Sequence, residues 1–277
     1  MYDLLLVRRR RLRKIAAFVS LVSSIGVGSL VTVSFLGQYT GTFTVTITNS
    51  SVRLSISDKE SFEDPTSYLR IEKLHDFEEY TYDLLPDDLD DENKAYDYGA
   101  TRNTLLKKDV LLYFKYTFYV GNMGGKVAQY NLKINILDRA KSTDGTNRTL
   151  DDTVRIMVYE NDVDDKTGNG LHTKEVFAKE SATKHLDKNG NLTTREFVTK
   201  EVYQEDDDHP LATTFESYST VKTYQRGGFY QGQKRRYTIV MWSEGEDPQS
   251  PNDSEVPVGA SLKIGVDITA YENEQNQ

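Results

Sequence analysis

The sequence predicts an all-β fold: a two-sheet β-sandwich of jelly-roll type that acts as an ectodomain and is preceded by one transmembrane helix. Three observations support this prediction. Residues 15–36 form an uncharged apolar run that follows a cluster of cations, long stretches after residue 40 alternate apolar and polar residues, and turn-forming residues separate these stretches. Strands with a period of two and turns between them are typical of sandwiches and jelly rolls.

The apolar run predicts a membrane segment and its direction. Its 22 residues, 15–36, contain no charge, and six cations lie between residues 8 and 14. As a helix the run spans roughly 33 Å, which is enough for a bilayer core. The positive-inside rule makes residues 1–14 a cytoplasmic basic tail and places residues 40–277 outside the plasma membrane. We expect an uncleaved signal anchor; the alternative is a signal cleaved near Thr32–Ser34, which would make the protein secreted.

Two stretches suggest self-association. Ser20, Ser24, Gly28 and Thr32 recur every fourth residue of the apolar run, so small side chains share one helix face that a second helix could approach. The alternative is that small residues are simply common in membrane helices. The strand predicted at residues 41–48 carries no charge, so it either pairs between subunits or is shielded inside its own sheet.

Composition excludes several classes of function. The six cations and Asp3 give residues 1–36 a charge of +5, so the rest of the chain carries −14 within the net charge of −9. Such an acidic region argues against binding to nucleic acid and to anionic lipid. The chain has no cysteine, which excludes disulfides, thiol chemistry and thiolate metal sites.

The strands follow in order after the membrane segment. Residues 41–57 predict a strand, a turn at residues 49–51 and a second strand. Residues 109–137 give the clearest core signal: two long alternating stretches joined by a glycine-rich turn at 121–125, which predicts an antiparallel hairpin with one buried face. Aromatic residues on both faces of 113–119 suggest a strand that is covered on both sides or carries a binding strip, and packing between neighbouring strands is the simpler explanation.

The second half of the chain contains a polar insertion and two further core strands. Residues 154–159 predict a strand, and the pattern then weakens in an insertion at about 160–229, where short strands are expected at 175–178, 193–203 and 218–224 and a turn at 187–191. Core strands resume at 237–242 and 260–271. We expect the following residues to be buried: Leu112, Phe118, Ile134, Ile156, Trp242 and Ile264.

Four segments carry a resemblance. They are YFKYTFYVGNMGGKVAQYNLKINI (113–136), VRIMVYEND (154–162), YTIVMWSEGEDP (237–248) and GASLKIGVDITAYE (259–272). Together they resemble a group of uncharacterised membrane-anchored surface proteins of Firmicutes, which is distantly similar to the camelysin and TasA-type biofilm-fibre family. The resemblance implies an N-terminal export segment and a jelly-roll domain. Camelysin-like proteins have been called metallopeptidases, but no residue here carries that activity over.

The motifs expected of an enzyme are absent from the sequence. A zinc peptidase needs a pattern such as His-Glu-x-x-His, whereas His75, His172, His185 and His209 are far apart in sequence. The chain has no Gly-x-Ser-x-Gly elbow, and GGFYQGQK (227–234) lacks the ending of a phosphate loop. We therefore predict a protein without catalytic residues and without an organic cofactor.

Calcium is the candidate metal. Asp187, Asn189 and Asn191 begin like a calcium-binding loop, but Leu192 stands where the loop needs glycine and Val198 where it needs glutamate. Asp162, Asp164 and Asp165 form a second group of oxygen ligands. A solvated acidic loop is the simpler explanation of each group.

These observations predict a single-pass surface protein with an ectodomain of structural, adhesive or binding type. One alternative is a calcium- or carbohydrate-binding module, and another is a cleaved, secreted matrix-fibre subunit. The expected partners are the membrane, through residues 15–36, and a second copy of the chain.

Overall fold

The fold is all-β, as predicted. The computed structural model describes residues 33–36, 43–49, 52–71, 77–90, 96–97, 99, 101–103, 108–143, 145–163, 170–246 and 259–272. Helix within these residues is limited to two 3₁₀ turns, Tyr82–Leu84 and Leu150–Asp152. The strands are β1 (Val33–Leu36), β2 (Phe43–Asn49), β3 (Leu54–Ser57), β4 (Tyr68–Ile71), β5 (Tyr96–Asp97), β6 (Thr101–Asn103), β7 (Lys108–Val110), β8 (Phe114–Asn122), β9 (Ala128–Ala140), β10 (Val154–Asp162), β11 (His172–Ala178), β12 (His185–Leu186), β13 (Leu192–Thr193), β14 (Thr213–Thr214), β15 (Thr220–Phe229), β16 (Lys234–Ser243) and β17 (Ser261–Glu272).

Two sheets face each other across a shared core. Sheet A has the order β15-β9-β17-β2-β4, with β1 also paired to β17; sheet B has the order β14-β11-β10-β16-β8-β3, with β5 also paired to β8. Alternate residues of both sheets meet between them, because successive side chains of a strand point to opposite faces. The inward-facing residues include Phe118, Ile134, Ile156, Ile239 and Ile264, all of which are buried.

The predicted hairpin at 109–137 is wrong. Its two strands exist as β8 and β9, but β8 pairs with β16, β3 and β5 in sheet B, whereas β9 pairs with β15 and β17 in sheet A. The glycine-rich connection therefore carries the chain from one sheet to the other. The apolar faces of β8 and β9 therefore face each other across the core, a connection called an arch. A hairpin and an arch require the same alternation of apolar and polar residues, so the sequence does not distinguish them.

Strand β2 lies inside sheet A. It pairs in parallel with β17 on one side and antiparallel with β4 on the other. For residues 43–48, the described part of the strand predicted at 41–48, the expected shielding within the sheet is therefore found in the single chain, and pairing between subunits stays a prediction. Residues 33–36, which the sequence assigned to the end of the membrane helix, instead form β1 and pair with β17. The rest of the predicted segment 15–36 lies outside the described residues.

A third layer covers the outer face of sheet B. Met157, Val240 and Trp242 on this face pack against Leu89 from the segment 77–90 and Val198 from the segment 181–212. All nine residues of β8 are consequently buried, which confirms that this strand is covered on both sides. Leu112 was expected in the main core, but it precedes β8, is only half-buried and packs against this outer cluster.

The predicted polar insertion at about 160–229 is not one structural unit. Its two ends supply β11 to sheet B and β15 to sheet A, and its middle forms the covering layer. The strand predicted at 193–203 is wrong except at Thr193, because Glu196, Phe197 and Val198 are held irregularly against sheet B instead of in a ladder. The Nε atom of the buried Arg155 donates to the Phe197 carbonyl at 2.8 Å.

No helix among the described residues is long and apolar enough to cross a membrane.

Candidate functional site

The two long sides of the sandwich differ. On one side, Thr66 exchanges two backbone hydrogen bonds with Ile56 of β3 immediately before the chain enters β4, so the same segment borders both sheets. On the other side, β15 is the edge of sheet A and lies above β11 of sheet B. A groove of about 710 Å³ opens there, lined by residues 173–175 of β11 and 222–226 of β15.

Polar contacts join the two sheets along the groove. Tyr224 of β15 belongs to the buried core, and its hydroxyl donates to Glu175 Oε2 of β11 at 3.0 Å. Two residues farther along β15, Arg226 forms two hydrogen bonds with Glu160 of β10. Its Nε atom donates to Glu160 Oε1 at 2.6 Å, and its Nη2 atom donates to Glu160 Oε2. The groove wall therefore rests on hydrogen bonds that cross from sheet A to sheet B.

Glu160 is the centre of a buried polar network behind the groove. Its side chain is fully buried and also accepts a hydrogen bond of 2.7 Å from the Tyr237 hydroxyl. Because the Tyr237 proton is used in that bond, the 2.9 Å contact between the Tyr130 and Tyr237 hydroxyls has Tyr130 as its donor. Arg235 donates to the Tyr130 hydroxyl at 3.4 Å and forms an ion pair of 2.6 Å with Asp162.

The pKa values of the tyrosines and of Arg226 in this network are all raised, and so lie farther above neutral pH than usual. Burial raises the pKa of Tyr130 to about 12. Burial also raises the pKa of Tyr237 and, together with the nearby Glu175 carboxylate, that of Tyr224. The hydrogen bond to Glu160 raises the pKa of Arg226. The tyrosines thus remain neutral donors and Arg226 remains charged, which suits the network to holding the two sheets together and not to proton transfer.

The sequence did not identify Glu160, Arg226 and Arg235, although a signal for them exists. Position 160 continues the inward series of Ile156 and Val158 on β10, and position 235 extends the inward series of Tyr237 and Ile239 on β16. A glutamate and an arginine that continue inward-facing series are both expected to be buried, and buried charges need partners of opposite charge. The burial of these positions can be read from the alternation, whereas the pairing of the strands cannot.

The structure separates the predicted calcium ligands into different parts of the fold. Asp162 ends β10, where its carboxylate pairs with Arg235 and accepts a bond of 3.0 Å from the Leu171 amide. Asp187 lies in the turn between β12 and β13, and its Oδ1 accepts the backbone amides of Asn189 and Asn191, each at 2.8 Å. These carboxylates therefore already have protein partners.

The remaining two predicted ligands, Asp164 and Asp165, lie outside the described residues. The described part of the chain contains no group of three or more His, Asp or Glu side chains placed to hold a metal ion. Binding of calcium stays a prediction, which titration of the purified protein with CaCl₂ under calorimetry would test.

No protein-family model matches the chain, and no curated protein matches it significantly.

Proposed function

We propose that this protein is a single-pass membrane protein of the bacterial surface whose β-sandwich ectodomain binds a ligand in the groove between β11 and β15. The groove carries the binding part of the proposal. It is an opening of about 710 Å³ bordered by β15 of sheet A and β11 of sheet B. Ligand sites commonly have volumes of roughly 300–1,000 Å³. The groups behind it hold the sheets in place, which keeps the groove wall rigid and ready for a ligand.

The membrane part of the proposal rests on residues 8–32. Because β1 begins at Val33, we shorten the proposed span to residues 15–32, which as a helix covers about 27 Å. The six cations before it favour an N-terminus inside the cell. The resemblance to membrane-anchored surface proteins of Firmicutes supports this placement. Successive strands that alternate between the sheets, such as β8 and β9 or β16 and β17, support a jelly-roll connection.

The alternative of a cleaved, secreted fibre subunit is less well supported. Pairing through residues 41–48 would need a free strand edge, and β2 has a neighbouring strand on each side. A structural or adhesive role of the anchored protein remains compatible with the groove as its contact site.

Two measurements on expressing cells test the location. An epitope inserted at Gly190, in the exposed turn between β12 and β13, should be stained by antibody on intact cells. Staining that requires permeabilised cells would contradict the proposed orientation. The intact mass of the purified protein should include residues 1–36, whereas a mature N-terminus near residue 35 would show that the signal is cleaved.

A further inference from the structure

We infer that the ligand of the groove is a neutral, hydroxyl-rich oligosaccharide. This inference rests on the proposed binding function and names its ligand class. It depends on three features of the groove: how its strand edge is protected, which side chains line it, and how their charges are balanced.

The edge of β15 is protected against pairing with a peptide strand. Its register with β9 is regular only from Lys222 to Arg226 and shifts on either side, between Thr220 and Lys222 and between Arg226 and Phe229. Lys222 and Arg226 share the inner face of the strand with Tyr224. Bulges and inward-pointing charges are the devices by which natural edge strands resist added strands. A polypeptide is therefore a poor occupant.

The groove offers hydrogen-bonding groups and no aliphatic side chain. From β11 it is lined by Thr173, Lys174 and Glu175, and from β15 by residues 222–226, which are Lys, Thr, Tyr, Gln and Arg. An apolar ligand would cover the exposed side chains of Lys174 and Gln225 without replacing their hydrogen bonds to water, at a cost in free energy. A ligand that carries many hydroxyl groups can replace those bonds.

The charges along the groove have partners within the protein. Arg226 is paired with Glu160, and the ammonium group of Lys222 lies 3.6 Å from the Glu216 carboxylate. Glu175 accepts from the Tyr224 hydroxyl and Lys174 donates to the Tyr82 hydroxyl, and the charges of these two adjacent residues are opposite and offset each other. The groove therefore has no strong excess of positive or negative charge, so it should not favour an anionic or a cationic ligand. A neutral polar ligand fits this balance better than a uronic-acid polymer or a basic peptide does.

The test uses the full-length protein in a zwitterionic detergent without a sugar headgroup. Calorimetry would measure binding of neutral hexasaccharides of glucose, mannose, galactose and N-acetylglucosamine, of a galacturonic acid hexasaccharide, and of a library of extended heptapeptides. We expect at least one neutral hexasaccharide to bind, and the double variant K222A/Q225A to weaken it about tenfold through two lost hydrogen bonds. The control K184A alters an exposed side chain before β12, outside the residues that line the groove, and should leave affinity unchanged.

Three results would overturn the inference: no neutral hexasaccharide binds, only the acidic hexasaccharide or a peptide binds, or K184A weakens binding as much as the groove variant does. Melting temperatures of the variants establish that each is folded. Binding in detergent does not depend on where the cell places the protein. A failure here is thus distinct from a failure of the epitope staining, which tests location alone.

Discussion

Arg226 of β15 and Glu160 of β10 form an ion pair that joins the two sheets, with Arg226 Nε 2.6 Å from Glu160 Oε1 and the Glu160 side chain fully buried. Glu160 also lies 3.5 Å from Arg235, so a change at Arg226 removes the closer of its two charged partners. Loss of a partner from a buried carboxylate is destabilising. We expect Arg226→Met to lower the free energy of unfolding by about 3 kcal/mol in urea denaturation. Lys222→Met is a matched control on the same strand, because its pair with Glu216 is partly exposed and worth about 0–1 kcal/mol.

The double variant E160Q/R226M should recover part of that loss, since it removes the buried charge as well as its partner. Equal costs for Arg226→Met and Lys222→Met would show that the pair does not connect the sheets energetically.

Phe118 should be one of the costliest core positions. Its side chain is fully buried between the sheets, and its ring stacks on that of Tyr237 with centroids 5.5 Å apart. Phe118→Ala should reduce the free energy of unfolding by about 3–5 kcal/mol. Leu192→Ala, at a side chain that is 69% exposed, should change it by no more than about 0.5 kcal/mol. A loss under about 1 kcal/mol for Phe118→Ala would show that this side chain does not fill the core.

Alkaline pH should destabilise the protein through its buried tyrosines. The folded-state pKa of Tyr130 is raised from 10.0 to about 12, so between these values the folded protein holds a proton that the unfolded chain releases. Stability is therefore unaffected by this group below pH 10 and falls as pH rises through 12, with a slope of up to roughly 1.4 kcal/mol per pH unit for each such proton. Melting curves recorded between pH 9 and pH 12 would measure the decline.

Tyr130→Phe should make that decline shallower, whereas Tyr203→Phe, at a side chain that is 77% exposed, should not. Identical alkaline profiles for Tyr130→Phe and the unmodified protein would contradict the assignment.

Proline at position 46 should lower the stability of the folded chain and should not change its oligomeric state. Thr46 of β2 faces Asp267 of β17 and Tyr68 of β4 in register, so its backbone has a strand on each side. Thr46→Pro removes a backbone donor from this ladder and should cost about 3 kcal/mol or more. Thr46→Ala keeps the donor and should remain close to the original melting temperature. If Thr46→Pro instead left the melting temperature unchanged and dissolved oligomers seen by size exclusion, β2 would be an intermolecular edge.

Local patterns were sufficient for the strands but not for their partners. The alternation of Phe114, Tyr116 and Phe118 predicted β8, and that of Leu132 and Ile134 predicted β9, because a period of two places these side chains on one face of an extended chain. The same pattern serves a hairpin and an arch between two sheets. Which of them forms depends on contacts of β8 with β16 and of β9 with β17, which lie more than 110 residues farther along the sequence.

The sequence alone determined the all-β class, most of the long strands and the inward position of most core residues, since these follow from side-chain periodicity within a few residues. Only the tertiary structure decided that β15 lies above β11, that residues 181–212 cover sheet B, and that Glu160 meets Arg226. Each of these brings together segments whose local patterns carry no information about one another. Their relative positions depend on how the whole chain pairs and packs. The buried charge of Glu160, for example, is tolerated because Arg226 of the other sheet lies beside it.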